Sequence, residues 1–197
     1  MSARDDILGN IRARTRAAAP KPETYRAPSA TSDLVSAFVA KAETANTEVR
    51  ILEREAQIPT AIAEILRAHN LAARVHLPAD SDVTGLGSLT VLHDPPGPDD
   101  TAVTHAPLAI AETGTLVQPA RNASPASWHF RPGFEIAILK ASDIVAHFED
   151  AIQNLKPQKL PPTINLITGP SRTGDIEQTL ELGAHGPKAL AVLVVRD

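Results

Sequence analysis

The segment Leu190-Ala-Val-Leu-Val-Val195 carries apolar side chains at every position, so any strand it forms must be covered on both faces. Strands of that kind belong to parallel sheets, whose members are joined by crossovers long enough to hold helices. The rest of the chain supplies this alternation. Ser32 or Asp33 can cap a helix carrying Leu34, Val35, Phe38 and Val39 on one face, and Glu48 to Leu52 then reads as a strand. Ile58, Ala61, Ile62, Ile65, Leu66 and His69 recur at helical spacing, and Ala73 to Leu77 reads as a strand halted by Pro78, completing a β-α-β unit. Residues 89–93 and 101–104 read as strands, separated by the turn-rich run Asp94-Pro-Pro-Gly-Pro-Asp-Asp100.

Ala106 to Val117 and Gly133 to Leu139 read as further strands. They flank a long connection with Arg121, Asn122, Trp128, His129 and Arg131, and connections of that length in compact domains often carry function. Ser142 or Asp143 can cap a helix with Ile144, Val145, Phe148, Ile152 and Leu155 on one side, which Lys156-Pro157 ends. Residues 163–168 read as a strand and residues 173–182 as a last helix, broken by Gly183 to Pro187. The expected fold class is α/β, with a mainly parallel sheet flanked by helices on both sides.

At 197 residues and 43% hydrophobic content the chain can bury one full core. Residues 3 to 18 read as an amphipathic helix with Ile7, Leu8 and Ile11 on one face and arginines around them, expected as a solvated arm packed along one side. Pro20, Pro22 and Pro28 make residues 19–31 an extended linker, so the expected organisation is residues 1–31 as helix and linker and residues 32–197 as the α/β domain. The chain has no cysteine, which excludes disulfides, thiolate nucleophiles and iron–sulfur clusters held by its own residues. Acidic Asp5 and Asp6 sit where a leader peptide would be basic, and no apolar run approaches the roughly 18 residues of a membrane span. The expectation is a cytoplasmic protein without membrane contact. A net charge of −4 and aromatics at 3% offer neither attraction for phosphate backbones nor stacking platforms, so nucleic acid is not an expected partner.

Two turns carry the candidate chemistry. In Thr163-Ile-Asn-Leu-Ile-Thr-Gly-Pro-Ser-Arg-Thr-Gly-Asp175 a strand runs into Gly169-Pro170-Ser171-Arg172-Thr173 at the expected start of a helix. Free backbone N–H groups and the positive end of the helix dipole would meet a guanidinium there, which together describe an anion site; the alternative is a capped helix with a surface arginine. In Ala109-Ile-Ala-Glu-Thr-Gly-Thr-Leu-Val117, Glu112 interrupts two apolar strand halves immediately before a glycine. Partial burial would raise its pKa toward a range useful for acid–base or nucleophilic work, whereas in a plain β-hairpin Glu112 would pair with Arg172 or Arg131. Ligands in open α/β sheets bind beyond the carboxyl ends of the strands, so the two turns are expected as neighbours in such a cleft, with the Trp128 loop shielding Glu112.

The seven histidines show no metal-binding spacing, so no metal is expected; His185, between glycines, reads as a helix C-terminal residue or a turn group of interest. Gly85-Leu-Gly-Ser88 lacks the third glycine and helix of a dinucleotide fingerprint.

At these same residues the sequence resembles the lactate-utilisation protein C family of LUD-domain proteins. The matching stretches are Ala109 to Val117 and Thr168 to Pro187, and the similarity extends from about residue 32 to the end. Where the family usually has Thr-Gly-Ala-Asp, this chain reads Thr104-His-Ala-Pro107, losing an acidic residue. The resemblance implies a fold like that of ribose-phosphate isomerases and coenzyme A transferases. It also implies a subunit for oxidation of L-lactate to pyruvate beside iron–sulfur partner subunits. Glu112-Thr113-Gly114 looks like the Glu-Asn-Gly turn that holds the nucleophile of those transferases, an analogy of fold. The site expected on both grounds has Glu112 as the candidate catalytic residue and Thr113, Gly114, Thr115, Gly169, Ser171, Arg172 and Thr173 around a small anionic ligand. A non-catalytic assembly or regulatory subunit and an independent acyl- or phosphosugar-handling enzyme are the alternatives, and no cofactor is assigned.

Overall fold

Two segments with apolar residues on both faces, Phe134–Lys140 and Ala189–Val195, sit at the middle of the architecture. The computed structural model describes residues 3–14, 32–156, 161–173, 181–182 and 186–196 of the chain. In chain order the helices are α1 (Ala3–Arg14), α2 (Leu34–Thr44), α3 (Ile58–Ala68), α4 (Ser127–Phe130) and α5 (Phe148–Leu155). The strands begin with β1 (Glu48–Leu52), β2 (Arg74–His76), β3 (Thr90–Leu92), β4 (Thr101–Ala106), β5 (Leu108–Ile110) and β6 (Thr115–Pro119). They continue with β7 (Phe134–Lys140), β8 (Ile144–Val145), β9 (Ile164–Ile167), β10 (Arg172–Thr173), β11 (Glu181–Leu182) and β12 (Ala189–Val195).

The large sheet has the order β1-β12-β7-β4-β2-β3, and every pairing in it is parallel. Its strands divide their side chains with period two. Ala191, Leu193 and Val195 of β12 and Ile136 and Ile138 of β7 meet Ile58, Ile62, Ile65 and Leu66 of α3. Leu190, Val192 and Val194, with Ala137 and Leu139, meet Phe38 and Ala42 of α2. Each fully buried aliphatic side chain contributes roughly 1.5–3 kcal/mol, so both covers are needed to hold the central strands. The expected mainly parallel sheet with helices on both sides is the observed one.

A second sheet, β8-β5-β6-β9, shares the α2 side. Ala109, Leu116, Ile144 and Ile167 join the core beside α2, while Leu108, Ile110 and Val117 turn the other way and are covered by Ala151 and Leu155 of α5. The layers are therefore α3, large sheet, α2 with the small sheet, and α5. This second sheet and a separate two-stranded one, β10-β11, correct three expectations. Ala106 to Val117 is the end of β4 plus the antiparallel hairpin of β5 and β6, with Ile110 opposite Thr115. Ile144 and Val145 are strand rather than first helical turn, because they pair with Ala109 and Ile110 of β5; α5 starts at Phe148, and the His147 amide donates to Asp150 Oδ2 at 3.1 Å. The expected helix at 173–182 is strand at both described ends, with Arg172 opposite Leu182 and Thr173 opposite Glu181. Residues 15–31, 174–180 and 183–185, including the expected linker and His185, lie outside the described residues. In α1, Ile7 and Ile11 are each 59% exposed and Leu8 is half-buried. Among the described residues no helix is long and apolar enough to cross a membrane.

Two glycines close α2 onto the small sheet. Gly114 (φ 66°) and Gly169 (φ 81°) adopt a backbone conformation that side chains disfavour. A Cβ on Gly114 would collide with the backbone nitrogen of Ala42, and one on Gly169 with the carbonyl oxygen of Ala45. Strain and overpacking together predict that Gly114→Ala and Gly169→Ala each lower stability by about 2–3 kcal/mol. Gly87→Ala, with nothing within 4 Å of its Cβ, should stay within about 0.5 kcal/mol of the parent. Urea midpoints measure all three, and unchanged midpoints at 114 and 169 would show that α2 does not seat on these turns.

Candidate active site

Because all six strands of the large sheet are parallel, their carboxyl ends share one edge, where ligands of open α/β sheets gather. A cleft of about 380 Å³ opens there. Its floor is apolar, from Ile58, Pro59, Ile138 and Val195; its polar groups are His105 near the end of β4, Lys140 at the end of β7, Glu55 just beyond β1, and Asp82 and Thr84 beyond β2. A second hollow of about 180 Å³ shares His105 and Asp82 and adds Asp80, Ser81 and Arg121.

Charged groups converge on His105 from four segments. Lys140 Nζ lies 3.0 Å from Glu55 Oε1, an exposed pair whose hydrogen bond holds the lysine pKa above its ordinary value. Arg121 Nη1 donates to Asp80 Oδ2 at 2.6 Å. His105 Nε2 is 3.2 Å from Asp82 Oδ1, near enough for charge attraction but not aligned as a hydrogen bond, so among the described residues this buried ring nitrogen has no hydrogen-bond partner. Burial pushes the His105 pKa below 6.5, and Arg121 and Lys140 push it the same way against Asp82 and Glu55. A neutral imidazole between two cations and three carboxylates can accept a proton or a hydrogen bond from a ligand. Among the described residues no group of three or more possible ligands is placed to hold a metal ion.

The two turns expected to form the site are indeed neighbours, but at the other edge. Thr115 Oγ1 lies 2.7 Å from Thr113 Oγ1 and 2.6 Å from Thr168 Oγ1, a hydroxyl chain joining them. Gly114 and Gly169 press on the end of α2, which leads directly into the amino end of β1. The Ser171 amide donates to Pro187 O at 2.9 Å, two residues before β12, so this N–H is already satisfied rather than turned to a ligand. Arg172 is exposed in β10, and Thr173 pairs there with Glu181 instead of opening a helix.

Glu112 stands at the hairpin tip, 39% exposed, with partners other than Arg172 or Arg131. Its Oε2 accepts from His147 Nδ1 at 2.9 Å and its Oε1 from the Phe148 amide at 2.9 Å, so the carboxylate caps α5. These bonds, the His147 one first, lower its pKa below the ordinary 4.5, the reverse of the expected rise, because little of the carboxylate is buried. Trp128 is buried in α4, which packs on β4.

Sequence reasoning missed the carboxyl-edge group. Glu55, Asp82 and Lys140 lie in no motif, and His105 registered only as a departure from a family pattern. It also missed a buried polar cluster, in which Thr104 Oγ1 donates to Glu135 Oε1 at 2.7 Å and His129 Nδ1 lies 2.7 Å from the same oxygen. Glu135 is fully buried, and among the described residues its Oε2 has no hydrogen-bond partner. The one available signal was a lone charge, Glu135, inside the apolar run Phe134 to Leu139.

Residues 99–195 match the LUD domain family. The chain is 39% identical over 95 residues to a lactate utilization protein C of Geobacillus thermodenitrificans, an alignment covering 46% of this chain and 40% of that one. It is 34% identical over 102 residues to the protein of that name from Shouchella clausii, covering 50% and 44%. The chain thus spans less than half the length of these relatives. A crystal structure of a DUF162 family protein from Deinococcus radiodurans superimposes with a TM-score of 0.66 at 22% identity, over 85% of this chain and 99% of that one. That likeness shows the fold alone.

A carboxylate whose pKa is depressed by folding stabilises above its unfolded value, here about 4.5, and loses that contribution as pH falls through its lower folded value. Glu112→Gln should therefore lower stability at pH 7 by about 1 kcal/mol, as loss of a helix cap does. The gap between the variant and the parent should narrow below about pH 4. Chemical denaturation at pH 7 and pH 3.5 measures it, and superimposable curves at pH 7 would remove the capping role.

Proposed function

We propose, from the match of residues 99–195 to the LUD domain family, that this chain serves lactate utilisation as a cluster-free subunit that binds a small anionic ligand in its carboxyl-edge cleft. In this reading it works beside iron–sulfur partner proteins in oxidising L-lactate to pyruvate. The names of the relatives support the pathway, and the lack of cysteine assigns any cluster to a partner. The observation that carries the ligand site is the convergence of His105, Lys140 and Arg121 on adjoining hollows over an apolar floor. Both cations sit in exposed ion pairs, which are worth about 0–1 kcal/mol and are readily exchanged for a ligand carboxylate. The turn residues Glu112, Thr113, Gly114, Thr115, Gly169, Ser171, Arg172 and Thr173 act in this reading as the clasp that joins α2, the small sheet and α5.

A second reading, an assembly subunit, is favoured by one observation. Phe148 and Leu166 are 42% and 49% exposed beside an apolar hollow of about 170 Å³ between α5 and the small sheet. The two readings separate in a lactate-utilising host lacking this chain and complemented with variants. Lys140→Met combined with Arg121→Met should abolish growth on L-lactate while leaving co-purification with cluster-bearing proteins intact. Normal growth with that pair, together with lost growth and lost co-purification for Leu166→Asp, would overturn the ligand reading and leave the assembly reading.

A further inference from the structure

Five formal charges line the two hollows that share His105: Asp82 beyond β2, Glu55 beyond β1, Lys140 at the end of β7, Arg121 beyond β6, and Asp80 paired to that arginine. Two are cations and three are carboxylates, so with His105 neutral the empty site carries one net negative charge. A monoanion entering a part-enclosed cleft would double that charge, and the electrostatic cost grows as water is displaced. One group can offset it. His105 lines both hollows, its buried Nε2 has no hydrogen-bond partner among the described residues, and histidine is the side chain that ordinarily changes charge between pH 5 and 8.

Resting on the reading of the cleft as the ligand site, we infer that it takes up a small carboxylate together with one proton, the proton lodging on the His105 imidazole and the anion lying against that ring and Lys140. The proton returns the site to its starting charge. It also supplies a ring N–H as a charge-assisted donor to the carboxylate, stronger than a neutral one. Lys140 is released from Glu55 to complete the contact, and the apolar floor of Ile58, Ile138 and Val195 receives the carbon chain. No bond to carbon is made or broken in this step.

Linkage fixes the sign. The ligand-free ring has a pKa below 6.5 because of burial, and the bound anion raises it. Affinity is therefore full below the ligand-free pKa and falls as pH rises, by about tenfold per pH unit, until the bound-state pKa is passed. Isothermal titration of the full chain with L-lactate and with pyruvate, from pH 5.5 to 8 in two cationic buffers of different ionisation heat, reads both quantities. The expected result is uptake of up to one proton per ligand in the parent and none in His105→Asn, whose affinity becomes flat with pH. Binding without proton uptake, or with equal uptake in His105→Asn, overturns the inference while keeping the cleft as an anion site. Absence of binding by either probe overturns the ligand reading and the inference with it. If His105→Asn does not fold, ring-proton spectra of the parent decide: the pKa of one histidine must rise when ligand saturates the protein, and seven unchanged titrations overturn the proposal.

Discussion

Burial of β7 and β12 on both faces is the constraint on which the rest of the structure depends. Neither strand has a side that tolerates water: Phe134, Ile136 and Ile138 alternate with Glu135, Ala137 and Leu139, and all six are buried. Each face therefore needs its own cover. The α3 helix supplies one with an unbroken stripe from Ile58 to Leu66. The other exceeds what α2 offers from Phe38 and Ala42, and the β5–β6 hairpin with β8 and β9 fills the remainder. That hairpin in turn exposes Leu108, Ile110 and Val117 on its far side, which α5 covers. Each layer exists because the previous one left apolar surface to bury.

Parallel pairing then separates two jobs to two edges. At the amino edge the chain is closed tightly: Gly114 and Gly169 allow backbone-to-backbone approach by α2, the hydroxyls of Thr113, Thr115 and Thr168 join the turns, and Glu112 caps α5. At the carboxyl edge the strands end beneath short, polar connections, and β6 returns from the hairpin to deliver Arg121 beside His105. Gly114, Gly169 and Glu112, from the most motif-like stretches of the sequence, make contacts between layers, while residues with no motif line the cleft.

Between the sheets lies a polar layer that an apolar core would not need. Thr104 and Glu135 lie on the same faces of their strands as Ala106 and Ala137, and His129 closes on Glu135 from α4. Gln118 and Asn165 are buried as well, the asparagine Nδ2 donating to the Gln118 carbonyl at 3.1 Å. A buried carboxylate is tolerated only with partners in one geometry, so this cluster rewards a single register of β4 against β7 and a single seat for α4.

The sequence alone determined the alternation of helix and strand, the parallel sheet, and the buried character of β12, because these follow from the periodicity of apolar side chains and from chain-local caps and breakers. Asp33, for example, caps α2 as its position suggests, its carboxylate accepting the Ser36 amide at 3.0 Å. The same local rules failed wherever a long-range pairing competed. Ile144 and Val145 look helical beside Phe148 and Ile152, yet β5 claims them; Thr173 looks like the start of a helix, yet it pairs with Glu181. The role of Glu112 was also beyond local reading, since His147 and Phe148, 35 and 36 residues away, set its partners and its pKa. The cleft is the clearest case. Glu55, Asp82, His105, Arg121 and Lys140 are scattered over 86 positions; the parallel order of the large sheet brings the strand ends that carry the other four to one edge, and β6 of the small sheet brings Arg121. Charge convergence of that kind is a property of tertiary structure, because no repeat or spacing along the chain encodes which strand ends become neighbours.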